Sequence, residues 1–391
     1  MNILIFVPYH GLLGPQGAMM RMLGFDDVLR DDTFIYLVPE GAPTGALDRV
    51  PGRRIRFFRP PGLFGVRVPY LLDLSRAWIE SLQSAVADEQ IDLVVFNFPW
   101  GLSAATPRVA VPTIYFSNGV ESDFTDITLR HLRAAIPPLT YLFRQFITLL
   151  ERRACAAATR VIAMSRKDID RFCELFGSAP EKYIDFPQPV LLPESAPSRA
   201  AARRRLGFGD DERIVLFHGS FAHLPNREAI DAIRNTIAPR IRAKMPSARF
   251  IIAGSGAPLF SAEGAEGIGF IENLPELLSA CDAAVLPIFS GCGVRMKVFD
   301  YFQYGLPCVS TEKGIEGVSV ANEVELLICR DDEEAVTNSL FRLLDNPALG
   351  VRLAENARSY LRRRHDPESI RRAIRAELQA IVRVDAPSSA S

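Results

Sequence analysis

SACDAAVLPIFSGCGVRMKVFDYFQYGLPCVSTEKGIEG, residues 279–317, is the stretch that decides the fold. An apolar run ends at Pro287, Ser290-Gly291-Cys292-Gly293 follows, the spacing predicts a helix over about 294–304 closed by Gly305, and a second apolar run comes at 307–310. Strand, glycine-rich loop, helix and next strand form the repeating unit of a parallel sheet covered on both faces. Gly291 and Gly293 leave backbone amides free to face an anion at the predicted helix start. Arg295 and Lys297 add full charge there. Cations are unfavourable at a helix N-terminus, so two of them imply an anionic ligand that offsets the conflict. Lys297 is one of only five lysines among 45 basic residues, which singles it out. Asp300 lies one turn on, where its carboxylate could accept hydrogen bonds from ribose hydroxyls. It reads otherwise as the ion-pair partner of Lys297 on a solvated helix face.

The same alternation extends in both directions. Apolar runs stand at 214–218, 250–253, 268–271, 284–288, 307–310 and 325–329 in the second half, and at 3–7, 34–38, 55–58, 93–98, 113–116 and 161–164 in the first. Two such series predict an α/β chain of two doubly wound domains. The segment 187–198 (PQPVLLPESAPS) carries four prolines and reads as the linker. The expected domains are 1–190 and 199–366, with a helix over 367–385 packing back toward the first domain and a disordered tail at 386–391. The opening MNILIFVP reads as a buried strand, with neither the basic start nor the cleavage site of a signal peptide. No run of eighteen apolar residues suggests a membrane span, so a cytoplasmic location is expected.

With 45 basic and 46 acidic side chains, 48% hydrophobic and 23% charged residues, the 391-residue chain has the balance of a soluble globular protein. A formal charge of −1 argues against nucleic acid as the main partner. Six cysteines without a C-x-x-C pair or histidine companions argue against structural zinc. Asp168-Ile169-Asp170 could suggest a metal-binding D-x-D, but Ser165-x-x-Asp168 reads as a helix capping box. No metal is expected.

In open parallel sheets, ligands bind beyond the carboxyl ends of the strands. The first such loop, PYHGLLGPQG, holds Gly11, Gly14 and Gly17. It lacks the G-x-G-x-x-G spacing of a nicotinamide fingerprint, and reads as a backbone approach to phosphate or sugar, or as a tight turn. In the second half His218-Gly219-Ser220, Gly254-Ser255-Gly256 and Ile271-Glu272-Asn273-Leu274 end three strands beside the Arg295/Lys297 loop, so one nucleotide could touch several of them. His10 and His223 read as local hydrogen-bond partners, and Glu316 as a donor or acceptor contact or a surface charge.

These residues carry a resemblance. HGSFAHLPNREAI at 218–230, FIIAGSG at 250–256, GFIENLPELLSACDAAVLPI at 269–288 and GCGVRMKVFDYFQYGLPCVST at 291–311 resemble the C-terminal domain of the family-4 (group 1) retaining glycosyltransferases. The first half is similar through its opening strand and glycine loop, SNGVES at 117–122 and RVIAMS at 160–165. The resemblance implies the GT-B fold, two Rossmann-like doubly wound parallel-sheet domains facing a cleft. It implies a nucleotide-diphosphate sugar as co-substrate, no metal or other cofactor, and a glycan, lipid-linked or small-molecule acceptor, as in polysaccharide or glycoconjugate synthesis.

The donor contacts it implies are Gly14, Gly17, His218, Gly219, Ser220, Gly254, Gly256, Ile271, Glu272, Leu274, Gly291, Cys292, Gly293, Val294 and Asp300. The catalytic set is Arg295, Lys297, Asn118 and Glu121. The two cations would neutralise the leaving diphosphate, whose oxygen helps deprotonate the acceptor in a front-face substitution. Two departures stand out. The family's E-x₇-E pair falls on Cys292 and Asp300, leaving the Gly293 and Val294 amides to make the first contact. Asn118 stands where the family often has His, and an amide can hydrogen-bond but carries no proton near neutrality. A non-catalytic nucleotide-sugar-binding subunit and a nucleotide-sugar epimerase are the alternatives.

Two regions suggest a peripheral contact with the cytoplasmic membrane face. Residues 49–76 hold seven arginines with Asp73 as the single acid, interleaved with aromatics, and 130–153 combine arginine with a broad apolar face. Both read equally as core-packed faces with arginines reaching outward.

Overall fold

The computed structural model of the chain describes residues 1–8, 17–42, 53–63, 66–67, 69–125, 137–195, 197–262, 264–291 and 293–385. His10, Gly11, Gly14, Cys292, the segment 130–136 and the tail 386–391 lie outside the described residues. The chain divides into two compact units, Met1–Pro189 with Pro367–Ser391, and Val190–Asp366.

Among the described residues the first unit is built on a seven-stranded sheet in the order β3-β2-β1-β6-β7-β8-β9. Its strands are β1 (Asn2–Phe6), β2 (Thr33–Pro39), β3 (Arg54–Phe58), β6 (Leu93–Asn97), β7 (Thr113–Phe116), β8 (Arg160–Ala163) and β9 (Tyr183–Asp185), all pairing in parallel. A small antiparallel ribbon, β4 (Gly62–Leu63) with β5 (Val66–Arg67), stands apart from it. The apolar runs put both faces of the central strands in the core, and Ile3–Phe6 and Leu93–Phe96 are fully buried. The helix Ala77–Asp88 turns Trp78, Ile79, Leu82 and Ala85 onto this sheet, Trp78 stacking on Phe6 at 4.9 Å between centroids. The helix Arg166–Phe176 starts where Ser165 accepts from the Asp168 amide at 3.2 Å and stops at Gly177, φ 66°. Asp168 is thus a cap partner, and Asp170 pairs with Arg166 on the surface.

The last helix, Pro367–Asp385, belongs to this unit. Ile370, Ile374, Leu378 and Ile381 recur at helical spacing and are buried. Arg371 pairs with Asp31, and Arg375 lies 3.2 Å from Asp31 and 3.4 Å from Asp32.

The second unit has the order β12-β13-β11-β10-β14-β15-β16 among its described residues. The strands are β10 (Arg213–His218), β11 (Ala248–Ala253), β12 (Leu259–Ala262), β13 (Ala265–Gly269), β14 (Ala283–Leu286), β15 (Cys308–Thr311) and β16 (Leu327–Cys329), parallel except for β12 against β13. Its polypeptide enters and leaves at one point, where the Val190 amide donates to the His365 carbonyl at 2.9 Å. Both sheets have the strand order of doubly wound nucleotide folds.

Three points refine the sequence reading. The strand expected at 268–271 is Ala265–Gly269, because pairing of Phe250 with Ala265 on β11 sets it, ahead of local hydropathy. β9 and β12 have no apolar run and went unpredicted; β12 alternates exposed and half-buried residues as an antiparallel edge does. Three of the arginines in 49–76 have acidic partners. Arg53 donates to Asp26 at 2.8 Å, Arg54 pairs with Glu89 at 2.6 Å, and Arg56 with Asp88 and Glu89 at 2.9 Å. Among the described residues no helix is long and apolar enough to cross a membrane.

Candidate functional site

In the second unit the strand order reverses between β10 and β14, which places a ligand crevice outside their carboxyl ends. β10 ends at His218. The Gly219 amide donates to Ala253 at 3.0 Å and the Gly254 amide to Gly269 at 2.8 Å, so the ends of β10, β11 and β13 are laced together. The approach is close enough that a Cβ on Gly254, at φ +132°, would lie 2.0 Å from the Gly219 carbonyl oxygen. Lys297 reaches across this cradle, since a Cβ on Gly219 would stand 2.8 Å from its Nζ. Its ammonium donates to Asn226 Oδ1 at 2.7 Å and lies 4.3 Å over the Phe217 ring. Asn226 is buried and donates in turn to the Ser220 carbonyl at 2.6 Å. Sequence reasoning missed Asn226 as a site residue, although it lies within the stretch 218–230.

The helix after β14 is shorter than predicted. It runs Lys297–Gln303, with no side chain capping its start, so 293–296 is loop and Lys297 is the first helical residue. Arg295 sits in that loop and donates from its guanidinium to the Ser290 carbonyl at 3.1 Å. The positive end is therefore carried by two side chains, with only a short helix behind them.

Electrostatics single out the same place. Burial, then the neighbouring Arg295, pushes the Lys297 ammonium down to about 7, with Asp300 acting the other way. Burial and then Lys297 push His218 down to about 3, so its contact with Asp300, 3.5 Å from Nε2, is that of a neutral imidazole. His223 is lowered by burial, then by Lys297 and Arg295. Asp300 is raised to about 7 by burial, against the pull of Lys297. The site holds more positive charge than its own carboxylate balances, and an anion beside Lys297 would restore its proton. Binding of a diphosphate should therefore take up a proton above about pH 7. Affinity is full below that pH and falls as pH rises from 7 toward 9, by up to about tenfold per unit. Titration calorimetry of UDP in two buffers of different ionisation enthalpy reads this directly; no proton uptake at pH 8 would remove Lys297 from the anion's contacts.

The structure brings His218, Gly219, Gly254, Gly291, Arg295, Lys297 and Asp300 together through these contacts, with a Cβ on Gly291 falling 2.8 Å from the Arg295 guanidinium. Ser220 and Gly256 stand in the turns after β10 and β11, and Gly293 and Val294 in the loop before Lys297. Ile271 and Glu272 occupy the connection after β13, where Glu272 is exposed, and Leu274 opens the helix Leu274–Ala280, which Asn273 caps. Glu316 pairs with Lys313 at 2.7 Å.

Asn118 and Glu121 lie in the first unit, at the end of β7, and Gly17 opens the helix Gly17–Val28. Behind them is a residue that sequence reasoning passed over. Glu151, fully buried in the helix Pro137–Ala157, accepts from the amides of Glu121 at 2.8 Å and Ser122 at 3.1 Å and from the Tyr115 hydroxyl at 3.2 Å. Burial raises it to about 7 against those bonds, and burial followed by Glu151 raises Glu121 well above the carboxylate range. A glutamate flanked by arginines looks like surface in sequence, and nothing local betrays its burial.

Two family models match the chain, one described as glycosyl transferases group 1 over 212–346 and one as glycosyltransferase family 4 over 32–190. A D-inositol 3-phosphate glycosyltransferase of Streptomyces griseus is 26% identical over 248 residues, 54% of this chain and 51% of that protein. The chain thus spans about half the length of that curated relative. Among solved structures, Anabaena Alr3699/HepE in complex with UDP and glucose superposes with a TM-score of 0.73 at 17% identity, covering 97% of this chain and 100% of that one. Sucrose-phosphate synthase from Thermosynechococcus elongatus gives 0.73 at 16% identity over 98% and 100%. At such identities these two structures share the fold.

Proposed function

Because the chain belongs to the group 1 glycosyl transferases and has their GT-B fold, we propose that it moves a sugar from a nucleotide-diphosphate donor to an acceptor hydroxyl with retention of configuration. The observation that carries this is the Arg295–Lys297 pair over the Gly219/Gly254 cradle at the strand-order reversal. Two cations held beside each other, one with its proton affinity depressed, are poised to stabilise negative charge as it develops on a leaving diphosphate. The second unit would hold the nucleotide and the first the acceptor. A leaving phosphate oxygen would take the acceptor proton, so no enzyme nucleophile is needed. That UDP appears with HepE supports a uridine nucleotide as the first donor to test.

A thermal-shift panel of UDP, GDP, ADP and dTDP with their sugars tests the reading. Ligand at 100 times its dissociation constant stabilises the fold by about 2.7 kcal/mol. A panel with no shift would count against a diphosphate site. Turnover of the best donor with acceptor separates a transferase from a binding subunit, and conversion of donor alone would point to an epimerase.

Two further predictions belong to this reading. Asp300→Ala should weaken ribonucleotide donors by about tenfold and spare their 2′-deoxy analogues, as loss of one buried hydrogen bond costs about 1–3 kcal/mol. Equal affinity for both series would leave Asp300 as no more than the partner of Lys297. Transfer should also survive EDTA, the two cations taking the role of a metal. Loss on chelation, restored by manganese or magnesium, would contradict this.

We also propose peripheral contact with an anionic membrane surface, in keeping with polysaccharide or glycoconjugate synthesis on a lipid-linked acceptor. On the helix Pro137–Ala157, Tyr141, Leu142 and Leu149 are 60%, 62% and 44% exposed, beside Arg152 and Arg153, and its one acid, Glu151, is buried. Co-sedimentation with vesicles containing anionic lipid tests it.

A further inference from the structure

Asn226 stands in the first turn of the helix Leu224–Ala232 and is buried. Its carboxamide joins two partners of opposite kind. The oxygen accepts from the Lys297 ammonium at 2.7 Å, and the nitrogen donates to the Ser220 carbonyl at 2.6 Å. An ammonium only donates and a backbone carbonyl only accepts, so the network fixes which way the amide faces. It also fixes the residue type. An aspartate there could take the ammonium but would leave the carbonyl unmet, and a leucine of similar volume could do neither. Gly219 lets both groups lie against the end of β10, because a Cβ on it would stand 2.8 Å from Lys297 Nζ and 3.0 Å from Asn226 Nδ2.

The neutrality of this partner is the informative feature. Taking an ammonium out of water is costly, and a buried charge is ordinarily balanced by an opposite one. Here the hydrogen bond goes to an amide, and the Phe217 ring, 4.3 Å away, is a second neutral contact. The charged and titratable groups that face the ammonium are Arg295 from the loop before it, Asp300 from its own helix, and His218 and His223 from the end of β10 and the start of the helix Leu224–Ala232. Both histidines are held neutral, and Arg295 works against Asp300. A carboxylate at 226 would neutralise the ammonium within the protein. An amide fixes it in place and leaves its field for an arriving anion.

We propose that Asn226 is a positioning residue of the donor site, a neutral tether that holds the Lys297 ammonium without cancelling the charge it presents to the diphosphate. This deepens the reading above and rests on it for the identity of the anion, whereas the tether itself is testable with no nucleotide present. The chain has five lysines, so NMR of the full chain carrying carbon-13-labelled lysine follows each of them through a pH titration. The Lys297 signal is the one missing from Lys297→Ala, and in the parent it should titrate near pH 7. In Asn226→Asp it should titrate about 1–3 pH units higher, an ion pair having replaced the tether. UDP binding is then compared at pH 6, where the ammonium is mostly protonated in every protein that has it. Asn226→Asp should bind at least about tenfold more weakly than the parent, and more weakly than Asn226→Ala, which loosens the ammonium but keeps its charge. An amide with a merely structural role would give the opposite order, since aspartate is the closer match in shape. Asn226→Ala should itself lose affinity severalfold, and should cost nothing further when Lys297 is already alanine; this pair carries the test if the aspartate variant fails to fold. If the Lys297 midpoint does not move in Asn226→Asp, if that variant binds UDP no worse than Asn226→Ala, or if the alanine loss persists in full without Lys297, the tether is wrong. If the lysine signal behaves as expected but the parent does not bind UDP, the tether stands and the diphosphate reading falls.

Discussion

Lys297→Ala is expected to weaken binding of UDP and UDP-sugars by about tenfold to a hundredfold while leaving uridine nearly unaffected. The ammonium is held against Asn226 and the Phe217 ring, with Arg295 as its cationic neighbour and Asp300 the carboxylate one turn on. A charge-assisted contact to an anion in such a setting is worth roughly 1.5–3 kcal/mol, which sets the range. The nucleoside lacks the anion, so it should not register the change. Transfer should fall further than binding if the ammonium acts mainly on charge that grows as the sugar–phosphate bond breaks. Calorimetry with UDP and uridine, together with kcat for the best donor, reads both effects. Equal losses for nucleotide and nucleoside would place Lys297 in the architecture of the loop and away from the phosphates.

Gly254→Ala should have the largest effect on stability. The methyl would be driven to 2.0 Å from the Gly219 carbonyl oxygen, and both partners are backbone, so no side chain can swing aside. At φ +132° the alanine would also be strained. Strain of about 1–3 kcal/mol together with overpacking of about 1–3 kcal/mol predicts a fall in Tm of roughly 4–24 °C for a unit of this size. The remaining folded protein should bind UDP poorly, because β10 and β11 can no longer close at their carboxyl ends. Gly256→Ala is the control. Its Cβ would meet nothing closer than 3.9 Å, so only the cost of a left-handed alanine applies. Equal melting of the two variants would show that the close approach of Gly219 and Gly254 contributes nothing.

The parts of the molecule readable from sequence are those whose physics is local. β10, β11 and β14 announce themselves because a strand buried on both faces is apolar through most of its length. Ser165 and Asp168 disclose a helix start because a cap is a contact over three residues. β9 and β12 were invisible, being short edge strands whose identity comes from a neighbour in space. The helix at Lys297 begins three residues later than its pattern suggests, since Val294, Arg295 and Met296 have helical propensity but take the loop that seats Arg295 on Ser290. The site divides the same way. Glycines, Arg295 and Lys297 cluster in sequence, whereas Glu151 and Asn226 gain their roles from partners 30 and 71 residues away.

The joining of Val190 to His365 has a consequence for how the protein is made. The second unit is one uninterrupted stretch of chain whose two ends meet, so it can fold as soon as it has left the ribosome. The first unit cannot finish at that moment. Asp31 and Asp32, synthesised before the second unit, are matched by Arg371 and Arg375, synthesised after it. Until the last helix is made, the part of the first unit that takes it, including the helix Gly17–Val28, therefore waits uncovered. A chain truncated before Pro367 should contain a well-formed second unit attached to a first unit that chaperones retain, and a 367–385 peptide supplied in trans should release it.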